Sequence, residues 1–161
     1  MIQGLSHMTF IVRDLDRMET ILVNVLGARK VYDSGGETYS LSRERFLIAG
    51  GGPGDADAPS PLWIVIMEGE SLPSRTYNHV AFKIAGAEYE QALMKVRDLG
   101  LHVRESRSRV EGEGRSIYFH DEDNHLFELH TGTLGERLAR YMADKTVIPG
   151  SDRLARTNGN T

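Results

Sequence analysis

Apolar and polar positions alternate in short runs along much of this chain, and twice the alternation gives way to a longer period. In LSHMTFIV, Met8, Phe10 and Val12 share one side of an extended segment, and His7 and Thr9 share the other. Leu15, Met18, Leu22 and Val25 then recur at helical spacing, with Asp14 ahead as an N-cap and Gly27 behind, which predicts a helix over about 16–26. The pattern returns in YNHVAFKI, where Val80, Phe82 and Ile84 oppose His79 and Ala81. Tyr89, Leu93, Val96 and Leu99 then predict a second helix over about 87–99, closed by Gly100. From His7 to Gly27 is 20 residues and from His79 to Gly100 is 21, with 72 between the two histidines. Such self-similarity marks two copies of one supersecondary unit.

Strand candidates follow each helix: ARKVYD, TYSLSR, RFLIA and LWIVIM in the first half, LHVRE, RSIYFH and HLFELHT in the second. DEDN between the last two is a tight hairpin turn, since Asp and Asn tolerate that backbone geometry. The expectation is an α+β fold of paired βαβββ units, a single domain over 1–143 with repeats at about 5–68 and 77–131. GGGPGDADAPSP (50–61) reads as a Gly- and Pro-rich loop insertion, LGERLARYMA as a short terminal helix, and 144–161 as a disordered tail with too few apolar residues to pack.

Composition narrows the function. The chain of 161 residues has a net charge of −4, which argues against a nucleic-acid partner, because that calls for a basic face. It has no cysteine, which removes disulfides, thiolate metal sites and a protein thiol nucleophile together. No apolar run reaches the roughly 20 residues that span a bilayer. MIQGLSHMTFIVRDL has neither the basic start nor the extended apolar region of a signal peptide, so no membrane partner and a cytoplasmic location are the default expectations.

Glu128 is the anomaly. Leu126, Phe127 and Leu129 ask to be buried, and an unpartnered carboxylate among them is costly unless it finds a donor or a metal. Phe127 and Leu129 belong to the helix side of their strand, which turns Glu128 and His130 toward the opposite face. His7 and His79 lie on that face in their own strands. Two imidazoles and a carboxylate make a facial set for a divalent cation, with positions left for water or substrate. Taken singly, His7 and His79 would each be read as a hydrogen-bonded core histidine; their matching positions in two repeats favour the metal. His130 can orient Glu128 from behind, whereas His102, His120 and His125, at strand ends or in a turn, read as surface residues.

The segments LSHMTFIV, YNHVAFKI and HLFELHTG, set in a duplicated unit, resemble the vicinal-oxygen-chelate superfamily. With LSRERF, RVEGEGRSIYF and FELHTGTLGERLAR they more closely resemble its fosfomycin-resistance enzymes, over about residues 1–142 apart from 50–61. The resemblance implies a divalent-metal enzyme, usually with Mn²⁺, with His7, His79 and Glu128 as ligands. LSRERF resembles the branch that adds water to the fosfomycin epoxide, so the resemblance implies hydrolysis without a thiol cofactor and Glu44 as the base that activates the water. Without the resemblance, a Glu between two arginines reads as a solvated or ion-paired residue. Thr9, Ser116, Tyr118 and Arg137 occupy the family's phosphonate-binding positions, although an Arg in LGERLAR otherwise reads as the wet side of a helix. In these relatives each cavity is shared between subunits, implying a domain-swapped homodimer in which His7 of one chain joins His79 and Glu128 of the other. Arg107 and Arg109 fall where thiol-transferring relatives place a lysine and a potassium loop, a loop that VEGEGRS does not reproduce. Gly112 and Gly114 point to a tight loop approaching the ligand, or a bulge.

Three other readings stay open. One is a thiol transferase acting on the same antibiotic, and another a metal-free drug-binding module of this fold. A glyoxalase-like enzyme or ring-cleaving dioxygenase is the third.

Overall fold

The computed structural model describes residues 1–51, 61–104 and 114–146. The first unit comprises β1 (His7–Val12), α1 (Leu15–Leu26), β2 (Arg29–Asp33), β3 (Glu44–Ala49) and β4 (Leu62–Glu68). The second comprises β5 (His79–Lys83), a 3-10 turn at Gly86–Glu88, α2 (Tyr89–Asp98), β6 (His102–Arg104), β7 (Ser116–His120) and β8 (Leu126–His130). A final helix, α3, runs Leu134–Thr146, past the expected end at 143, and the rest of the tail lies outside the described residues, as does 52–60 of the insertion.

Each unit folds into its own sheet, ordered β1-β4-β3-β2 and β5-β8-β7-β6. In each, the last strand returns parallel to the first, and the remaining pairs are antiparallel. The paired βαβββ pattern is therefore the architecture. The two histidines head the corresponding edge strands, His7 level with Trp63 and His79 level with Leu126.

The helix signals act as read. Asp14 accepts the Arg17 amide proton at 2.9 Å, and Gly27 ends α1 at φ 63°, a conformation that costs glycine nothing. Leu15, Met18, Ile21, Leu22 and Val25 of α1 are buried against the sheet faces carrying Phe10, Val12, Leu47, Ile64 and Ile66. The same core continues into the second unit through Phe82, Val96, Ile117, Phe119, Phe127 and Leu129, with Phe10 and Phe127 rings 5.2 Å apart.

One expected strand is absent. TYSLSR is irregular, with Tyr39 73% and Leu41 88% exposed. Its apolar–serine alternation imitates a strand, but its apolar residues find no face to pack on, and β3 starts only at Glu44.

A polar clasp ties the units together. Arg13, just after β1, donates Nε–H to Asp123 Oδ1 at 3.0 Å and its backbone N–H to Oδ2 at 3.3 Å. Ser71 also donates to Asp123, while Arg17 reaches Glu122 at 2.7 Å and the Leu99 carbonyl at 2.6 Å. Burial of Asp123 works to raise its pKa, but the bonds from Ser71 and Arg13 prevail and hold the carboxyl below its ordinary range. A depressed carboxyl pKa stabilises the fold above the unfolded-state value, and that contribution is lost as pH falls through the folded-state value. Asp123→Asn is therefore expected to cost about 1–3 kcal/mol at neutral pH. Urea unfolding across pH should show the gap to wild type closing in acid.

Candidate metal-binding site

The alternation of β5, β7 and β8 assembles one polar face. Pairing places Ala81, Glu128 and Tyr118 level with one another, and Lys83, His130 and Ser116 level in the next row. Phe127, Leu129, Ile117 and Phe119 point the other way into the core. Glu128, 4% exposed, is thus not stranded in oil. Ser116 donates its hydroxyl proton to Oε1 at 2.6 Å, and Oε2 lies 3.0 Å from His79 Nε2. Tyr118 contacts the same carboxylate. Its phenol is pushed well above the ordinary range, by burial first and then by Tyr77 and Glu128, so it remains a hydrogen-bond donor.

His79 shows what this pair can hold. Its Nδ1 lies 2.7 Å from the Tyr77 carbonyl oxygen, which only accepts, so Nδ1 carries the proton. In a neutral ring, Nε2 then aims a lone pair at the carboxylate oxygen. Two electron-rich atoms so placed call for a positive charge between them, a proton or a metal ion. An imidazole nitrogen and a carboxylate oxygen are the donors that borderline divalent ions accept.

His7 lies in the other sheet, exposed, with Ser6 Oγ 3.1 Å from its Nδ1 and Trp63 4.5 Å away ring to ring. Thr9 shares its face. The chain on its own therefore brings together two of the three expected ligands. Among the described residues no group of three or more His, Asp or Glu side chains is set to hold an ion.

Glu44 departs from the reading that composition alone would give. Arg43 pairs instead with Glu68 at 2.5 Å, and Arg45 with Asp16, Glu19 and Asp33 at 2.6, 2.7 and 2.9 Å. Strand parity sends both arginines away from the face of Glu44, which is 8% exposed. That face carries His7, Thr9, Trp63, Val65, Phe46 and Met67; Glu44 is level with Met67 and His7 with Trp63, so Thr9 falls between them.

Arg137 sits in the first turn of α3, whose start is fixed by a reciprocal cap. Thr133 Oγ1 accepts the Glu136 amide proton at 3.2 Å, and Glu136 accepts from the Thr133 amide at 2.6 Å. Burial lowers the His130 pKa against the opposing pull of Glu128, and Arg137 and Lys83 add smaller lowering effects. Lys83 was not singled out from sequence, although it alternates with His79 and Ala81 on β5. It donates to the carbonyls of Thr131 and, at 2.7 Å, Gly132.

Two histidines read as surface residues are not. His125 Nδ1 bonds Asp121 Oδ2 at 2.7 Å inside the hairpin, and His120 is 5% exposed with no hydrogen-bond partner on either ring nitrogen among the described residues. Burial is the main cause of the lowered His120 pKa. Gly114 serves backbone contact: at φ 78°, an added Cβ would lie 2.5 Å from Gly132 Cα. Gly112, Arg107 and Arg109 lie outside the described residues.

Two βαβββ units, each opening on a histidine-bearing edge strand, make this a protein of the vicinal-oxygen-chelate, glyoxalase-like class. No protein-family model matches the chain. It is 58% identical over 140 residues, 87% of this chain and 94% of the relative, to the fosfomycin resistance protein FosX of Mesorhizobium japonicum. A FosX variant from Listeria monocytogenes, solved with Mn(II) and a dihydroxypropylphosphonic acid, is 48% identical, with a TM-score of 0.74 over 88% of this chain and 99% of that one. The metallothiol transferase FosB of Staphylococcus saprophyticus is more distant, 32% identical over 149 residues, 90% of this chain and 87% of that protein. The chain belongs to the FosX family of fosfomycin resistance proteins.

Proposed function

We propose that this protein opens the epoxide of fosfomycin by adding water, in a homodimer where His79 and Glu128 of one chain and His7 of the other hold Mn²⁺. The observation that carries the reading is the His79 Nε2–Glu128 Oε2 pair, 3.0 Å apart, with the far nitrogen of His79 committed to a carbonyl. The FosX structure containing a dihydroxypropylphosphonic acid supports water as the nucleophile, because adding water to an epoxypropyl phosphonate gives that diol.

When bound, the ion supplies Lewis-acid polarisation of the epoxide C–O bond. The chain's own groups do the rest. Glu44, with both neighbouring arginines engaged elsewhere, accepts a proton from the attacking water. Tyr118 and Arg137, with Ser116 and the Thr9 hydroxyl on the His7 face, bind the phosphonate oxygens, Arg as a planar fork. Trp63, Phe46 and Val65 give the face around Glu44 and Thr9 an aromatic and aliphatic lining. No thiol takes part. The described residues contain no helix long and apolar enough to cross a membrane.

Incubation of fosfomycin with the Mn²⁺-loaded protein should yield the diol by mass spectrometry and ³¹P NMR, with no requirement for glutathione. Chelation should stop the reaction. A thiol adduct as the sole product would assign the protein to the transferase branch, and binding of fosfomycin without turnover or metal would make it a sequestering module.

A further inference from the structure

Ser116 has one hydroxyl proton, and its position decides what the residue does. Oγ is 2.6 Å from Glu128 Oε1 and 2.8 Å from His130 Nδ1. The carboxylate has no proton to give, so Ser116 donates to Glu128. The Ser–His bond must then run from the ring, with Nδ1–H donating to Oγ. The direct distance from His130 Nδ1 to Glu128 Oε1 is 3.5 Å, too long for the ring to serve the carboxylate itself. The Lys83 ammonium bonds to the carbonyls just beyond His130, and α2, through Tyr89, bonds the Ser116 carbonyl at 3.3 Å, so both ends of the chain are anchored.

We propose that His130 and Ser116 form a positioning chain for the metal ligand, Nδ1–H to Oγ–H to Glu128 Oε1. The chain occupies one carboxylate oxygen and turns the other, Oε2, toward His79 and the cation. Ser116 serves Glu128 before it serves substrate, and reaches a phosphonate oxygen only by releasing the carboxylate. His130 is a positioning residue with no contact to the reacting atoms. The inference rests on the metal reading given under Proposed function.

The test is Mn²⁺ affinity of the full chain without substrate, read from the free-ion EPR signal. His130→Leu, which keeps bulk and removes the donor, should bind Mn²⁺ about 10–100-fold more weakly. His130→Asn, whose amide N–H can replace the ring N–H, should recover most of that loss. Ser116→Ala should weaken binding similarly, and the double variant should be no weaker than the worse single one, because the two residues act in series. Near-wild-type Mn²⁺ affinity in either His130→Leu or Ser116→Ala would overturn the chain, as would fully additive losses. A Ser116→Ala that raised only the KM for fosfomycin would return the hydroxyl to the substrate alone. Should His130→Leu fail to fold, Ser116→Ala and His130→Asn still decide the matter. If wild type itself binds no divalent ion, the metal reading fails, an outcome separate from any difference among variants.

Discussion

Glu128→Gln is expected to abolish fosfomycin turnover and to weaken Mn²⁺ binding by at least about 100-fold, beyond what loss of an outer-shell partner costs. Glutamine has nearly the same shape, so the effect isolates charge and hydrogen-bond sense. The carboxylate now offers Oε2 to His79 Nε2 across 3.0 Å. A glutamine amide there would donate its N–H to the imidazole lone pair and fill by itself the gap that a cation would occupy. Thermal unfolding without metal should therefore be close to wild type, while the increase in Tm on adding Mn²⁺ disappears. The same variant tests the shared site. His7→Ala homodimers should be inactive too, but after subunit exchange with Glu128→Gln chains each mixed dimer regains one intact site, giving about a quarter of wild-type activity at equal mixing. No recovery in a preparation shown to contain mixed dimers would put all three ligands in one chain.

The second large effect concerns Glu44. Glu44→Gln should lower the rate of hydrolysis by about 10²–10⁴-fold, the range for removing a positioned base, with Mn²⁺ affinity unchanged. The split is diagnostic because Glu44 lies in β3 of the first sheet, apart from the ligands on β5 and β8. Its backbone N–H is bonded to Ser34 Oγ at 3.0 Å, so the strand start should survive the substitution. Turnover close to wild type would remove Glu44 from the mechanism. A loss of metal affinity instead would make it a ligand.

Much of this was legible in the letters. The common face of His79 and Glu128 follows from a period of two in strands whose other face is Val80, Phe82, Phe127 and Leu129, whereas Ser116 comes from the resemblance. The duplicated spacing gave both units and their order. TYSLSR was misread because alternation reports periodicity and not whether an apolar face awaits, and Tyr39 and Leu41 have none. Without the resemblance Glu44 reads as solvated or ion-paired, since its neighbours in sequence are arginines; in a strand, adjacent side chains diverge, and both arginines pair elsewhere. His120, His125 and Asp123 eluded the reading for a related reason. The partners of Asp123 are Arg13 and Ser71, and the surroundings of His120 include Arg75, contacts across the fold that local pattern does not encode, whereas His125 bonds Asp121 within its own hairpin. Parity puts Lys83 on the face of His79, but a lone lysine on an edge strand is ordinarily solvated, and its bond to the Gly132 carbonyl appears only in the fold.

The arginines on either side of Glu44 act as indexing pins. Arg45 is held by carboxylates from α1 and β2, and Arg43 by one from β4. Sliding β3 by one residue would tear the guanidinium of Arg45 from three anions at once and thrust it among Phe46's former neighbours. The mechanical phase of the strand is thereby protected against shear, and with it the direction in which the acid points. A lineage drifting at these flanking charges would lose its aim before it lost its fold.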